Sequence, residues 1–149
     1  MIGVLMNTVY DSPRNLLAIK NMNRLREEGV ETCLFCDIVN RDFSVPVQTN
    51  VLQKAQAFNF NGTIITQDLS AAQDMVNMVY AKKRYIYLYD LDWMRIESPL
   101  FSHTHSLLLN ENINLIARSE SRQKIITDLF KKPSHLMKYW DVKTLKELD

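Results

Sequence analysis

Apolar runs alternate with segments of helical period along this chain, and the first instance of that alternation constrains the fold most. Residues 2–8 read as a short apolar strand, and the polar turn Tyr-Asp-Ser-Pro-Arg-Asn at 10–15 follows it. Ser12 is placed to cap a helix that has Pro13 at its first position. Leu16, Leu17, Ile19, Met22 and Leu25 then recur at helical spacing, and Gly29 suits the left-handed end of a helix. Residues 30–38 read as the next strand. A strand, a helix and a strand at this spacing require a right-handed crossover and parallel pairing.

The alternation continues. In the poorly patterned stretch 39–59, Pro46 is a breaker and a helix is expected over 48–58. Residues 62–66 read as a strand, and Ser70 opens a helix whose apolar stripe is Ala71, Ala72, Met75, Met78 and Val79. Strands are expected at 85–89 and 113–117. Ser119 then caps a helix over 121–130 that buries Ile125, Ile126 and Leu129, and 134–139 and 142–148 supply a last short strand and a terminal helix. The expected fold is α/β: a Rossmann-like, doubly wound sheet of five to six mainly parallel strands in a single domain, residues 1–149.

Composition narrows the classes. A chain of 149 residues with 46% hydrophobic and 23% charged content can bury a core without disulfides or metals. Eighteen basic residues against seventeen acidic ones leave a formal charge of +1, so no global field points to nucleic acid or an anionic membrane, although a local patch stays open. The apolar start at 1–6 is short, lacks a basic leader and runs into Asn7 and Thr8, so no secretory signal is expected. No stretch approaches the roughly 18 apolar residues of a spanning helix, and the expected location is the cytoplasm. Cys33 and Cys36 form a C-x-x-C inside an expected strand, where side chains three apart point to opposite faces. They are expected to be reduced and to act as small hydrophobes.

The strand at 85–89 lies in the run Arg-Tyr-Ile-Tyr-Leu-Tyr-Asp-Leu-Asp at 84–92, which Trp93 and Arg95 follow. Polar residues at the carboxyl end of a buried parallel strand lie where open α/β sheets bind ligands. Asp90 and Asp92 are therefore the catalytic candidates, with a helix cap or a surface ion pair as the alternative. At the first strand-to-helix turn, Asn7, Ser12, Arg14 and Asn15 are candidates for substrate contact, because backbone N–H groups at a helix N-terminus favour an anion. Plain capping is the alternative there. Arg118, Ser119 and Glu120 stand at a second such junction, where convergence with Asp90 and Asp92 would bring acid, base and anion donors together; capping by Ser119 accounts for the same residues.

Other chemistries lack their residues. The only glycines are Gly3, Gly29 and Gly62, so neither a G-x-G-x-x-G fingerprint nor a Walker A loop can be written on this chain. A conventional NAD enzyme or ATPase is not expected. His103 and His105 would share a face on extended backbone, but a zinc site needs a third protein ligand, and none stands at a diagnostic spacing. No metal site is expected, and His135 reads as structural. Asp11 has no adjacent acidic partner after the first strand, which disfavours a receiver-like domain, and no phosphate loop suits a flavin.

Four segments together resemble the amino-terminal, acceptor-side half of a GT-B glycosyltransferase: Ile-Gly-Val-Leu-Met-Asn at 2–7, the strand at 84–92, Leu-Ile-Ala-Arg-Ser-Glu at 115–120, and Ser-His-Leu-Met-Lys-Tyr-Trp-Asp at 134–141. Lys-Arg-Tyr-Ile-Tyr-Leu-Tyr-Asp at 83–90 is similar to the segment of phage DNA glucosyltransferases that ends in the catalytic aspartate. The resemblance implies that Asp90, or Asp92 after a small register shift, is the general base that deprotonates an acceptor hydroxyl for attack on an anomeric carbon. It also implies that Arg118 contacts an anion and that residues 7–15 frame the acceptor. The second Rossmann-like domain of that family is expected outside this chain. The resemblance therefore implies no tightly bound cofactor, a nucleotide-sugar donor supplied through a partner, and a protein partner or homo-oligomer. A phage origin would make the expected cytoplasm the host's; no membrane association is expected, and nucleic acid stays open as an acceptor. The alternative is a non-catalytic α/β interaction or assembly module that docks through aromatic residues such as Trp93 and Trp140.

Overall fold

The computed structural model describes residues 1–91, 94 and 100–148. Strand β1 (Ile2–Leu5) is buried along its whole length and lies between β3 (Thr32–Phe35) and β6 (Thr63–Thr66), parallel to both. Beyond β3 comes β5 (Asn50–Leu52), and beyond β6 come β7 (Lys83–Leu88), β8 (Asn114–Ala117) and β9 (His135–Leu136). The order across the sheet is β5-β3-β1-β6-β7-β8-β9, and every pairing is parallel. Two further short strands, β2 (Thr8–Val9) and β4 (Ile38–Val39), extend the ends of β1 and β3 as a separate parallel pair.

Helices cover both faces. On one, α2 (Leu69–Met75), α3 (Leu100–Leu109), α4 (Glu120–Leu129) and a 3₁₀ helix (Lys54–Asn59) bury Ala57, Ala71, Met75, Leu108 and Ile126 against the sheet. On the other, α1 (Pro13–Glu27) contributes Ile19, Met22 and Leu25, and α5 (Val142–Leu148) contributes Leu145 and Leu148. The protein is thus a doubly wound, Rossmann-like α/β domain. The chain winds outward from β1 to β5, returns to the centre, and winds the other way from β6 to β9. The reversal falls between β1 and β6, whose carboxyl ends form the topological switch point.

Local chemistry explains the first unit. The Ser12 side chain accepts from the Asn15 N–H at 3.3 Å, Pro13 occupies the first turn, and Gly29 takes φ 82° just past the helix end. Asn21 and Asn23 sit on the buried face of α1 because each ties down another segment. Asn23 donates to the Pro46 carbonyl at 2.7 Å and accepts from the Gln48 N–H at 3.0 Å, while Asn21 donates to the Tyr139 carbonyl at 3.1 Å. Gly3 is required by close approach: a Cβ there would lie 2.8 Å from the Phe35 ring and 3.0 Å from the Phe60 ring.

Several expectations need correction. The helix expected at 48–58 is instead the edge strand β5 followed by the 3₁₀ helix, which raises the sheet to seven strands. Asn23 and the buried Thr32–Thr49 hydroxyl pair hold that segment extended, a tertiary effect that local pattern does not carry. Helix α2 starts from Asp68, not Ser70, and ends before Val79, which is exposed. On α4, Ile126 alone of the expected apolar trio is buried; Ile125 and Leu129 face solvent. Residues 100–109, where an extended segment would have paired the histidines, form α3, so His103 and His105 lie roughly 200° apart around a helix. His105 packs between the rings of Phe101 and Phe130. Trp140, proposed as an exposed docking residue, is fully buried; Trp93 lies outside the described residues.

The cysteines behave as expected: both are buried and free, Cys33 against one face of the sheet and Cys36 against the other. Burial pushes the Cys33 thiol from its ordinary 9.0 up to about 12 and raises that of Cys36, with Asp37 adding to the latter. A raised native value means that the fold holds the protonated thiol. The associated stability is intact below the unfolded thiol's pKa and declines as pH rises from 9.0 toward 12. Chemical denaturation at a series of pH values should show this alkaline loss, reduced in Cys33→Ala relative to its own neutral-pH stability. Both thiols should be silent to Ellman's reagent until the protein unfolds.

Candidate functional site

The carboxyl ends of β1, β6 and β7 open onto a cleft of about 370 Å³ whose walls include Arg14, Gln67, Asp68, Tyr87, Asp90 and Thr104. A smaller depression of about 220 Å³ shares Arg14, Gln67 and Asp68 and extends the cleft toward Asn7, Tyr10 and Asn15. This is the switch-point position at which open parallel sheets take their ligands. It forms because the segments leaving β1 and β6 turn to opposite faces of the sheet, which parts them at this edge.

Asp90 stands just beyond β7, and Arg14 projects from the first turn of α1. Their side chains meet across the cleft at 3.9 Å, each 35% exposed. At that exposure the pair contributes at most about 1 kcal/mol to folding. It does hold a carboxylate and a guanidinium facing each other inside a concave site.

The other first-turn candidates have structural partners. The Asn7 side chain donates to the Ser70 hydroxyl at 2.6 Å and accepts from the Lys54 ammonium at 2.6 Å, and Lys54 also pairs with Asp74 at 2.9 Å. Ser12 caps α1. Asn15 is buried, donates to the Tyr10 carbonyl at 3.1 Å and accepts from the Gln67 amide at 2.9 Å. Gln67 in turn accepts from the Trp140 indole N–H at 2.9 Å. A continuous side-chain chain thus runs from Trp140 through Gln67 and Asn15 to the α1 turn. Of the residues expected at that turn, Arg14 is the one aimed at Asp90.

Arg118, Ser119 and Glu120 do not share this cavity. They line a second depression on the β8 and β9 side, with Arg122, Lys138 and Tyr139. Tyr89 marks the boundary: it lines the first cleft, and its ring lies 4.4 Å from the Arg118 guanidinium. The expected convergence on one site therefore becomes two neighbouring sites. Ser119 caps α4 by accepting from the Arg122 N–H at 3.4 Å. Asp92 lies outside the described residues.

Gln67, Asp68 and Thr104 were not foreseen. Gln67 and Asp68 directly follow β6, so the carboxyl-edge rule applied to that strand would have found them. Thr104 sits on α3, whose existence the pattern did not reveal. Asp68 is a structural carboxylate: it caps α2 through the Ser70 N–H at 3.0 Å and accepts from the Ser70 hydroxyl at 2.7 Å. Tyr87 donates its hydroxyl to the Met137 carbonyl at 2.7 Å; burial pushes its pKa up, partly offset by Arg118, so it remains a neutral donor. Among the described residues no group of three or more histidine, cysteine or acidic side chains is placed to hold a metal ion. None of the described helices is long and apolar enough to cross a membrane.

In comparisons with protein-family models, curated proteins and solved structures, no family, relative or structural neighbour matches this chain.

The cap and the ion pair of the cleft should separate by stability. Asp68→Ala, which removes a cap, should cost about 1 to 2 kcal/mol in urea denaturation. Arg14→Gln, which removes only a partly exposed ion pair at 3.9 Å, should change it by less than about 1 kcal/mol. Trp140→Phe, which leaves the buried Gln67 oxygen without its donor, should cost about 1 to 3 kcal/mol.

Proposed function

We propose that this chain is the acceptor-side half of a glycosyltransferase-like enzyme, with the switch-point cleft receiving a hydroxyl-bearing acceptor. The observation that carries this reading is the placement of Asp90: a carboxylate at the carboxyl edge of the sheet, lining a concave site and facing Arg14. Among the described residues the cleft's other lining acid, Asp68, caps α2. The glycine usage supports an acceptor role rather than a nucleotide-binding one. Gly3 lies within β1, Gly29 ends α1 and Gly62 precedes β6, so the turn between β1 and α1 has no glycine to let a pyrophosphate approach its backbone.

In the proposed reaction Asp90 accepts the proton of the acceptor hydroxyl as its oxygen bonds to the anomeric carbon of the donor sugar. The bond from that carbon to the donor phosphate oxygen breaks, and the nucleoside diphosphate leaves with the electron pair. Arg14 orients the Asp90 carboxylate and yields it to the acceptor hydroxyl. The donor site comes from a partner chain or from another domain. Asp92 is the alternative base.

A second reading, a non-catalytic interaction module, draws on the exposed Val79 and Tyr80, 72% and 63% accessible beyond α2. In that case Asp90 substitutions would leave function untouched.

The discriminating assay is sugar transfer from UDP- and GDP-sugars by the chain together with proteins that co-purify with it. Asp90→Asn and Asp92→Asn are run in parallel. Transfer should fall about 10²- to 10⁴-fold in Asp90→Asn with partner binding unchanged. Full turnover in that variant would remove Asp90 as base. A stable partner complex without transfer under any donor would favour the interaction module.

A further inference from the structure

The depression beyond Tyr89 takes no part in the chemistry proposed for Asp90, yet its side chains are arranged for a ligand of their own. Among the described residues Arg118, Arg122 and Lys138 line it against one acid, Glu120, a local positive excess although the chain's formal charge is only +1. Among the described residues, none of these three cations forms an ion pair with a carboxylate.

Their positions are set in other ways. The Arg118 guanidinium lies 4.4 Å from the Tyr89 ring centroid and 4.9 Å from that of Tyr139, and the Lys138 ammonium lies 5.3 Å from the Tyr139 ring. Arg122 donates to the Tyr89 carbonyl. Ring contacts hold a cation in place without neutralising it and leave its N–H groups available. The Tyr139 wall is itself anchored. Asn21 donates to its carbonyl at 3.1 Å, and the adjoining Trp140 is fully buried against Tyr87 with ring centroids 5.4 Å apart. Two positioned guanidinium groups and an ammonium around one concavity match a tetrahedral, multiply charged oxyanion. The opening turn of α4 adds the favourable end of its dipole.

We propose that this depression binds the phosphate group of a small phosphorylated molecule, at a site separate from the Asp90 cleft. Three cations gathered at one concavity suit one or two phosphates; a nucleic-acid backbone calls for a longer basic stripe than these residues make.

The test uses the whole chain, titrated with inorganic phosphate, UMP, UDP, uridine and a short DNA duplex, and followed by amide NMR shifts and calorimetry. Phosphate, UMP and UDP should shift the amides of residues 118–122 and 138–139, and uridine should not. Affinity should fall about tenfold or more in Arg118→Gln and in Lys138→Gln, recover in part in Arg118→Lys, and be unchanged in Asp90→Asn. Thermal melting of each variant checks that it folds, and the wild-type shift map carries the test if Arg118→Gln does not. Shifts confined to residues around Arg14, or equal affinity in wild type and folded Lys138→Gln, would overturn the site, as would no shift with any phosphate-bearing probe. Binding of the duplex far tighter than of UDP, through the same residues, would overturn the small-molecule assignment. Because the Asp90→Asn arm is scored by phosphate affinity and not by transfer, failure of the transferase proposal and failure of this one remain distinguishable.

Discussion

Everything at the carboxyl edge of the sheet follows from β1 being buried on both faces with a parallel neighbour on either side. A parallel strand cannot be reached by a tight turn, so the chain must cross over the sheet each time, and β1 at the centre means the crossovers leave in two directions. The segments after β1 and β6 consequently part: the one after β1 runs into β2, which pairs with β4, and side chains tie the rest of this edge together. Trp140, Gln67 and Asn15 pass hydrogen bonds from the carboxyl-terminal segment to the α1 turn, while Asn7 bridges Ser70 and Lys54. The cleft is what remains between those two sets of ties.

The features legible in the sequence were those fixed by local chemistry. Ser12, Pro13 and Gly29 act within a few residues of their own position, and the start of α1 and its end fall where they indicate. The apolar runs at β1, β6, β7 and β8 are buried enough to need no neighbour for recognition. Strand β5 was illegible because its conformation is imposed from outside, by Asn23 and Thr32, and its own side chains are mostly exposed. Helix α3 was missed because its sequence, Leu-Phe-Ser-His-Thr-His-Ser-Leu-Leu-Leu, is apolar at both ends and polar in the middle, without a stripe of helical period. Ile125 and Leu129 were misjudged for a related reason: propensity shows that a segment is helical, but the face turned inward is set by what it packs against.

At the site, the same division holds. The strand-end rule pointed to Asp90 and the helix-start rule to Arg14, both readable locally, and both line the cleft. Whether a polar side chain there is available or already engaged cannot be read locally. Asn7 and Asn15 are of the same type and stand at the same kind of position as residues that bind ligands in open sheets. Partners that lie 47 to 63 residues away in sequence instead commit them to cross-linking the fold. Trp140 is the clearest case: the same indole that would make a docking hot spot if exposed is the donor that anchors Gln67.

Net charge proved the least informative quantity for the same edge. A formal charge of +1 over 149 residues averages away a marked segregation. Asp68 and Asp90 lie with Arg14 on the switch-point side of Tyr89, whereas Arg118, Arg122 and Lys138 lie with Glu120 on the other. The two neighbouring regions thus offer ligands different local charge even as the total averages it away. Tyr89 joins them mechanically, since its ring carries Arg118 and its carbonyl accepts from Arg122 while the residue itself lines the Asp90 cleft.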